Sequence, residues 1–269
     1  MTHTDQLSQF FEENKHSWNT RTDIHQTSEM YDMGAFRAGQ TSLREIELAE
    51  VGDVQGKSML HVQCHFGQDT ISWARMGAQA TGTDFSGRAI EIARSLAAAE
   101  SLDTRFICAN TYDLPEHLDE QFDIVFTSYG VIGWLPDLKK WAEILARYVK
   151  PGGIFYMVEF HPVLWMMDDE VRKITYSYFD KGVIAYEESD YTDHEGQHGT
   201  TKNYAWNHSL SDVITPLIAQ GLTLEFLHEF DYSPYDCFQN AVSVGEKRWQ
   251  VKDYEGVFPL AYSIKLRKD

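Results

Sequence analysis

Residues 59–86, MLHVQCHFGQDTISWARMGAQATGTDFS, restrict the fold more than any other stretch of this chain. Met59 to Val62 is a short apolar run and reads as a strand. Gln63 to Gly67 is a tight turn. A helix starts at Asp69, with Ile71, Ala74 and Ala78 on one side and Gly77 near its end. Ala80 to Thr83 reads as a second buried strand with Asp84 at its tip. Strand, Gly-bearing turn, helix and an acid ending the next strand make the plan of a nucleotide-binding βαβ unit. The physical logic is local. Unpaired N–H groups at the start of the helix offer a dock for a polar ligand group. Gly67 lets a ligand approach the backbone. Asp84 can accept hydrogen bonds from both hydroxyls of a ribose, and Phe85 offers a flat apolar surface to a purine.

Three further elements follow in order. Asn110–Thr111 comes after a third strand, Phe122-Asp123-Ile124-Val125 forms a fourth, and Val149-Lys150-Pro151-Gly152-Gly153 precedes a fifth. With these, residues 55–160 or so resemble the class I S-adenosylmethionine (SAM)-dependent methyltransferases, and more loosely the rest of the chain does too. The first motif of that family usually runs acid-x-Gly-x-Gly-x-Gly. Here His61 stands at the acid position, Gln63 and His65 at the first two glycines, and only Gly67 is kept. Leu-His-x-Gln-Cys-His-Phe-Gly is identified as a variant found within the family. The resemblance implies a doubly wound, Rossmann-like α/β fold with a seven-stranded sheet and SAM as cofactor. It implies a cofactor site from Trp18, Gln63, Cys64, Gly67, Asp84, Phe85, Asn110, Thr111 and Ser128, with Asn110 and Thr111 at the adenine edge. His61, Gln63 and His65 are expected to serve through backbone rather than side chains. The plainer alternatives are an acid that caps a helix at Asp84 and a turn-forming Asn110.

Residues 1–54 read as an N-terminal helical and aromatic lid segment, and 55–269 as the SAM-binding domain. Gln6–Phe11 and Thr41–Val51 look like amphipathic helices. Between them, Trp18, Tyr31 and Phe36 lie in a stretch of weak periodicity, either a cover over the cofactor or an anchored arm. Ser86 caps a helix striped by Ala89, Ile90, Ala93, Leu96 and Ala97. Arg105–Ala109 is the third strand, Asp113–Leu118 a helical turn, Asp137–Val149 a strongly amphipathic helix and Ile154–Glu159 the fifth strand. Residues 161–207 break the alternation. Ile174–Tyr178, Val183–Asp190 and Thr200–Trp206 read as antiparallel strands of an insertion. A last helix is capped by Ser211 or Asp212, with a late start so that Pro216 lies near its beginning. Thr223–His228 and Ala261–Leu266 complete the sheet, and 231–257 read as loop.

The reaction implied is methyl transfer to a small-molecule acceptor by in-line displacement, for which the protein aligns the acceptor and excludes water. A base is needed only where the nucleophile must lose a proton. His161, Tyr129 and Tyr31 are the candidates, with Tyr129 and Trp134 as possible pocket walls; a histidine beyond strand five can equally hold the insertion in place. The Asn/Asp-Pro-Pro-aromatic motif of enzymes acting on planar nitrogens is replaced by Thr127-Ser128-Tyr129-Gly130. His194-Glu195-Gly196-Gln197-His198 matches HExxH, but glycines inside and after it give a turn rather than the helix a zinc site needs, so no metal is expected.

A formal charge of −18 and the lack of a basic stripe argue against nucleic acid. No run is long enough to span a membrane, the N-terminus has no signal-like apolar core, and the three cysteines show no disulfide or metal spacing. A cytoplasmic protein with a small-molecule substrate is the expectation; no feature speaks to oligomeric state. Two rivals are a non-catalytic SAM- or S-adenosylhomocysteine-binding protein and a nicotinamide-dependent oxidoreductase. The second expects Gly-x-Gly-x-x-Gly where Gln63, His65 and Gln68 stand.

Overall fold

A computed structural model describes residues 3–168, 170–192 and 199–269. In chain order the helices are α1 (His3–His25), α2 (Met33–Arg37), α3 (Glu45–Val51), α4 (Gln68–Arg75), α5 (Gly87–Ala99), α6 (Leu138–Tyr148) and α7 (Leu210–Ala219). The strands are β1 (Ser58–Val62), β2 (Gln79–Asp84), β3 (Arg105–Cys108), β4 (Phe122–Ser128), β5 (Val149–Phe160), β6 (Ile184–Glu188), β7 (Thr201–Ala205), β8 (Leu222–Phe230), β9 (Ala241–Gly245), β10 (Arg248–Val251) and β11 (Ala261–Lys268).

Seven strands form one sheet in the order β3-β2-β1-β4-β5-β11-β8. β1 to β5 run parallel, and β11 enters antiparallel between β5 and β8. The strand order reverses between β1 and β4, so a crevice opens beyond their carboxyl ends, where open α/β sheets bind ligands. Parallel strands covered on both faces must be apolar throughout, and β1 and β4 are buried almost along their length. α6 presents Leu138, Trp141, Ala142 and Leu145 to the core on one flank, and α5 presents Ala89, Ile90, Ala93 and Leu96 on the other. Ser86 caps α5 by accepting from Ala89 N, as its position in the sequence implies.

Four local expectations are corrected. The region after Phe11 is not aperiodic: α1 continues unbroken to His25. Ile174–Tyr178 is no strand and contributes only a bridge from Ile174 to Met167, while β6 and β7 pair as a separate antiparallel hairpin. Ser209, not Ser211 or Asp212, caps α7 through a capping box with Asp212, which places Pro216 inside the helix. Within 231–257, β9 and β10 form a second hairpin.

The inserted hairpin straps α1 across the carboxyl edge of the sheet. Asn14 pairs both ways with the backbone of Tyr204, donating to its O (2.8 Å) and accepting from its N (2.9 Å). Ser17 donates to Asn203 (2.7 Å), Arg21 meets Glu188 (2.6 Å), and Phe10 stacks on Tyr204. Asn19 in turn accepts from Ser86 Oγ (2.8 Å) at the start of α5. The HExxH residues 194–198 lie outside the described residues.

Candidate functional site

The turn after β1 keeps the backbone of a glycine-rich loop without its glycines. Gln63 (φ 61°), His65 (φ 51°) and Gly67 (φ 81°) all occupy the left-handed region. For Gln63 and His65 this carries a steric cost that glycine avoids. Three N–H groups of the turn donate within the protein, Cys64 to Thr83 O (2.9 Å), His65 to Asp84 Oδ2 (2.8 Å) and Gly67 to Cys64 O (3.0 Å), and they fix its path into the N-terminus of α4. Gly67 has another reason to be glycine. A Cβ there would come within 2.7 Å of the Phe106 ring and 2.9 Å of Ala93, so it is required by packing against β3 and α5.

Asp84 closes this turn from β2. Its Oδ2 accepts from His65 N (2.8 Å) and its Oδ1 from Ser86 N (2.8 Å). An ionised carboxylate offers about four acceptor positions, so capacity remains for ribose hydroxyls. Burial pushes its carboxyl up to about 6, against the pull of those backbone donors. Phe85 beside it is half-buried. Beyond β3, Asn110 Oδ1 accepts from Tyr112 N (3.0 Å), the plain turn role, and Thr111 is buried. Cys64 continues the β1–β2 pairing through its N–H to Thr83 O (2.9 Å). Its thiol is buried, held above its ordinary value by burial first and then by the charge of Asp84.

Three buried polar atoms around this turn have no hydrogen-bond partner among the described residues: Trp18 Nε1, Gln63 Oε1 and His65 Nδ1. Trp18 packs edge-on against His65 (5.3 Å) and Trp134 (5.4 Å). Gln63 donates to Val131 O (3.0 Å), so its oxygen remains free. Unmet donors and acceptors at the mouth of a βαβ turn fit a polar ligand there, since each otherwise carries a desolvation penalty. His61 Nε2 is unpartnered too, but it belongs to β1 rather than to the turn. It faces the interior, contacts Thr70 Oγ1 (2.9 Å) and Phe126, and burial depresses it to about 3, so its side chain is a neutral core group.

On the far side of the turn lies a buried polar cluster that sequence patterns did not reveal. Asp69 accepts from Ser42 Oγ (2.6 Å) and Ser128 Oγ (3.3 Å). Glu47 accepts from Tyr129 Oη (2.8 Å) and Arg44 N (2.5 Å). Burial, reinforced by the charge of Asp69, pushes Glu47 up to about 7. Arg44 stacks on Tyr235 at 4.2 Å. The only sequence signal was a run of acids in α3, which reads as a solvated face.

Each of the three candidate bases expected from sequence is engaged by a partner within the protein. Tyr129 is fixed as a donor to Glu47, and Tyr31 pairs with the Tyr191 hydroxyl (2.6 Å). Burial holds both phenols well above their ordinary value, so neither forms phenolate near neutrality. His161 sits away from the turn. Its Nδ1 accepts from Val163 N (3.2 Å), its Nε2 lies 3.0 Å from Glu229 Oε1, and its ring meets Tyr262. Glu159 has its carboxylate turned inward, where it gathers the amides of Gly130, Val131 (2.7 Å), Ile132 (3.3 Å) and Phe160 (2.7 Å) and so shapes the loop after β4.

The chain's similarity to known proteins agrees with this geometry. Residues 60–157 match the methyltransferase domain family. Their cofactor is S-adenosyl-L-methionine, which the turn, Asp84 and the unmet polar atoms fit. The chain is 31% identical over 103 residues to the ubiquinone biosynthesis O-methyltransferase of Alkalilimnicola ehrlichii, covering 38% of this chain and 41% of that one. It is 34% identical over 113 residues to the enzyme of the same name from Pseudomonas syringae pv. tomato, covering 41% and 47%. The match thus spans less than half the length of these two relatives. Among solved structures, the methyltransferase-domain fold is shared with an S-adenosylmethionine dependent methyltransferase from Mesorhizobium loti (TM-score 0.54, 18% identity, 91% of this chain and 100% of that one). It is also shared with the geranyl diphosphate C-methyltransferase of Streptomyces coelicolor, solved with S-adenosyl-L-homocysteine (TM-score 0.54, 12% identity, 84% and 77%).

Proposed function

We propose that the protein transfers the methyl group of SAM to a small-molecule acceptor. The observation that carries this reading is the 63–67 turn. It holds Gln63 and His65 in the left-handed region that a glycine loop occupies, while Asp84 stands at the adjoining strand tip. When bound, SAM supplies an electrophilic methyl on a sulfonium centre. The protein's part is to hold and to exclude. Asp84 anchors the ribose, Phe85 faces the purine, Asn110 and Thr111 lie toward its edge, and the backbone of 63–67 receives the amino-acid end. Trp18 and α1 cover the reaction centre from water. Ser128 supports the site indirectly by donating to Asp69.

A small acceptor fits a site roofed by α1 and its strap better than a polymer does, and the charge of −18 disfavours polyanions. A cytoplasmic location accords with this; among the described residues no helix is long and apolar enough to cross a membrane. The test is a transfer assay with methyl-labelled SAM and a fractionated small-molecule extract as acceptor. Label should pass to low-molecular-mass product. Tight SAM binding without transfer to any fraction would favour the non-catalytic binding protein.

A further inference from the structure

Three side chains distant in sequence form a continuous hydrogen-bonded line into the proposed site. Asp190, just after β6, has its Oδ2 2.9 Å from Nε2 of His25, the last residue of α1. The Nδ1 of His25 lies 2.8 Å from Nε2 of His65 in the turn after β1. The His65 Nδ1 is excluded from solvent and has no partner among the described residues. Tyr31 stacks on His25 at 4.6 Å and Trp18 closes over His65.

The proton positions follow from the charge at one end. Asp190 also accepts from Thr192 N (2.8 Å) and Thr192 Oγ1 (2.5 Å), and its contacts with His25 and Thr192 outweigh its burial to hold it at about 2, hence ionised. An ionised carboxylate must receive a proton, so His25 carries N–H at Nε2. His25 Nδ1 is then the acceptor, and His65 must donate from its own Nε2. Each ring has one proton when neutral, and burial, aided by the Arg21 charge, keeps both neutral. The only arrangement that satisfies both contacts leaves His65 Nδ1 as a bare lone pair.

We propose that His65 is the general base of the reaction, with His25 and Asp190 as positioning residues, and that the acceptor is a nucleophile bearing a removable proton: an O–H, S–H or N–H group. The proposal rests on the methyl-transfer reading above. As the acceptor heteroatom bonds to the methyl carbon, the carbon–sulfur bond breaks and its electron pair returns to sulfur. The acceptor proton passes to His65 Nδ1. The Nε2 proton of His65 moves to His25 Nδ1, and the resulting imidazolium rests against the Asp190 carboxylate. One cation is consumed at sulfur and one appears in the relay, paired at once with a buried anion. The groups that face the relay are Asp190 and Tyr191 from the insertion, Arg21 and Trp18 from α1, and Tyr31 from the segment after it.

The decisive variant is His65→Gly. It restores the family's usual residue at a left-handed position, so the fold and cofactor binding should persist. Catechol serves as the O–H acceptor probe. His65→Gly should bind S-adenosylhomocysteine within about threefold of wild type while methylating catechol about 10²-fold more slowly or worse, and added imidazole should restore part of the rate. A variant that keeps its rate would overturn the proposal. Independently of any acceptor, long-range ¹H–¹⁵N spectra of the wild type at pH 7 should show His65 with its proton on Nε2. Asp190→Asn should mix the tautomers and alter the pH profile of catechol methylation. A His65 found protonated on Nδ1 would overturn the base assignment, and this arm decides alone where catechol is not turned over. Wild-type protein that binds neither SAM nor S-adenosylhomocysteine would instead defeat the methyltransferase reading, so the two failures are distinct.

Discussion

Asp84 has two tasks, which its substitutions should separate. It holds the His65 and Ser86 amides from below and offers its remaining lone pairs to the ribose. Asp84→Ala should weaken S-adenosylhomocysteine binding by roughly 1.5–3 kcal/mol, the range for a hydrogen bond to a charged group. It should also lower the melting temperature, because two buried amides lose their acceptor; calorimetry and thermal unfolding read the two effects. Protonation removes acceptor capacity, so affinity should decline as pH falls through about 6. Glu47 makes the opposite kind of statement, about stability. Its folded carboxyl is raised from 4.5 to about 7. It therefore binds a proton more readily folded than unfolded, and its contribution is fully present below pH 4.5 and lost as pH rises through 7. Glu47→Gln should stabilise the protein at pH 8 relative to wild type, by about 1–3 kcal/mol, and leave it little changed at pH 4. Equal denaturant midpoints at pH 8 would contradict this. Gly67→Ala should cost about 1–3 kcal/mol through collision with Phe106 and Ala93, with the strained φ adding to it.

At the scale of elements, α1 shows where a sequence stops being legible. Its buried side runs Phe10, Asn14, Ser17, Arg21, Thr22 and His25, a regular helical spacing written almost entirely in polar residues. Hydrophobic periodicity cannot detect such a face. Asn14, Ser17, Arg21 and His25 meet partners more than 160 residues away, while Thr22 bonds back to Trp18 O within the helix, so no local pattern encodes this face. The parallel strands were legible for the opposite reason, because strands buried on both faces are apolar runs bounded by turns. The places of Gly67 in the turn and Asp84 at the strand tip were legible in the sequence, and the packing of Phe106 and Ala93 against Gly67 was not. His25, His65 and Asp190 were not, since their meaning lies in their meeting. The N-terminal segment of residues 1–54 also divides. Trp18 and His25 pack on His65 in the turn after β1, whereas Met33 and Phe36 belong to the core with Ile71 and Ile90. Deleting residues 1–27 should leave a folded domain without turnover, while deleting 1–40 should unfold it; circular dichroism distinguishes them. Hydrogen exchange in α1 should slow further when S-adenosylhomocysteine is added, with little change in β1 and β4. Unchanged exchange in α1 would make it a permanent roof.

At the scale of the molecule, the seven-strand order and the reversal between β1 and β4 determine where a ligand can bind, and the altered turn determines which ligand. The same βαβ plan also serves dinucleotides, whose pyrophosphate needs close backbone approach at Gly-x-Gly-x-x-Gly. Gln63, His65 and Gln68 place side chains at those positions, and Gln68 is committed to Tyr31 O (2.8 Å). The site therefore favours SAM over a dinucleotide. Isothermal titration of the 269-residue chain with SAM, S-adenosylhomocysteine, NAD and NADP separates the two cofactor classes. One site per chain is expected for SAM and for S-adenosylhomocysteine, weakened in Asp84→Ala, with no comparable heat from either dinucleotide. Tight NAD binding with no response to SAM would contradict it.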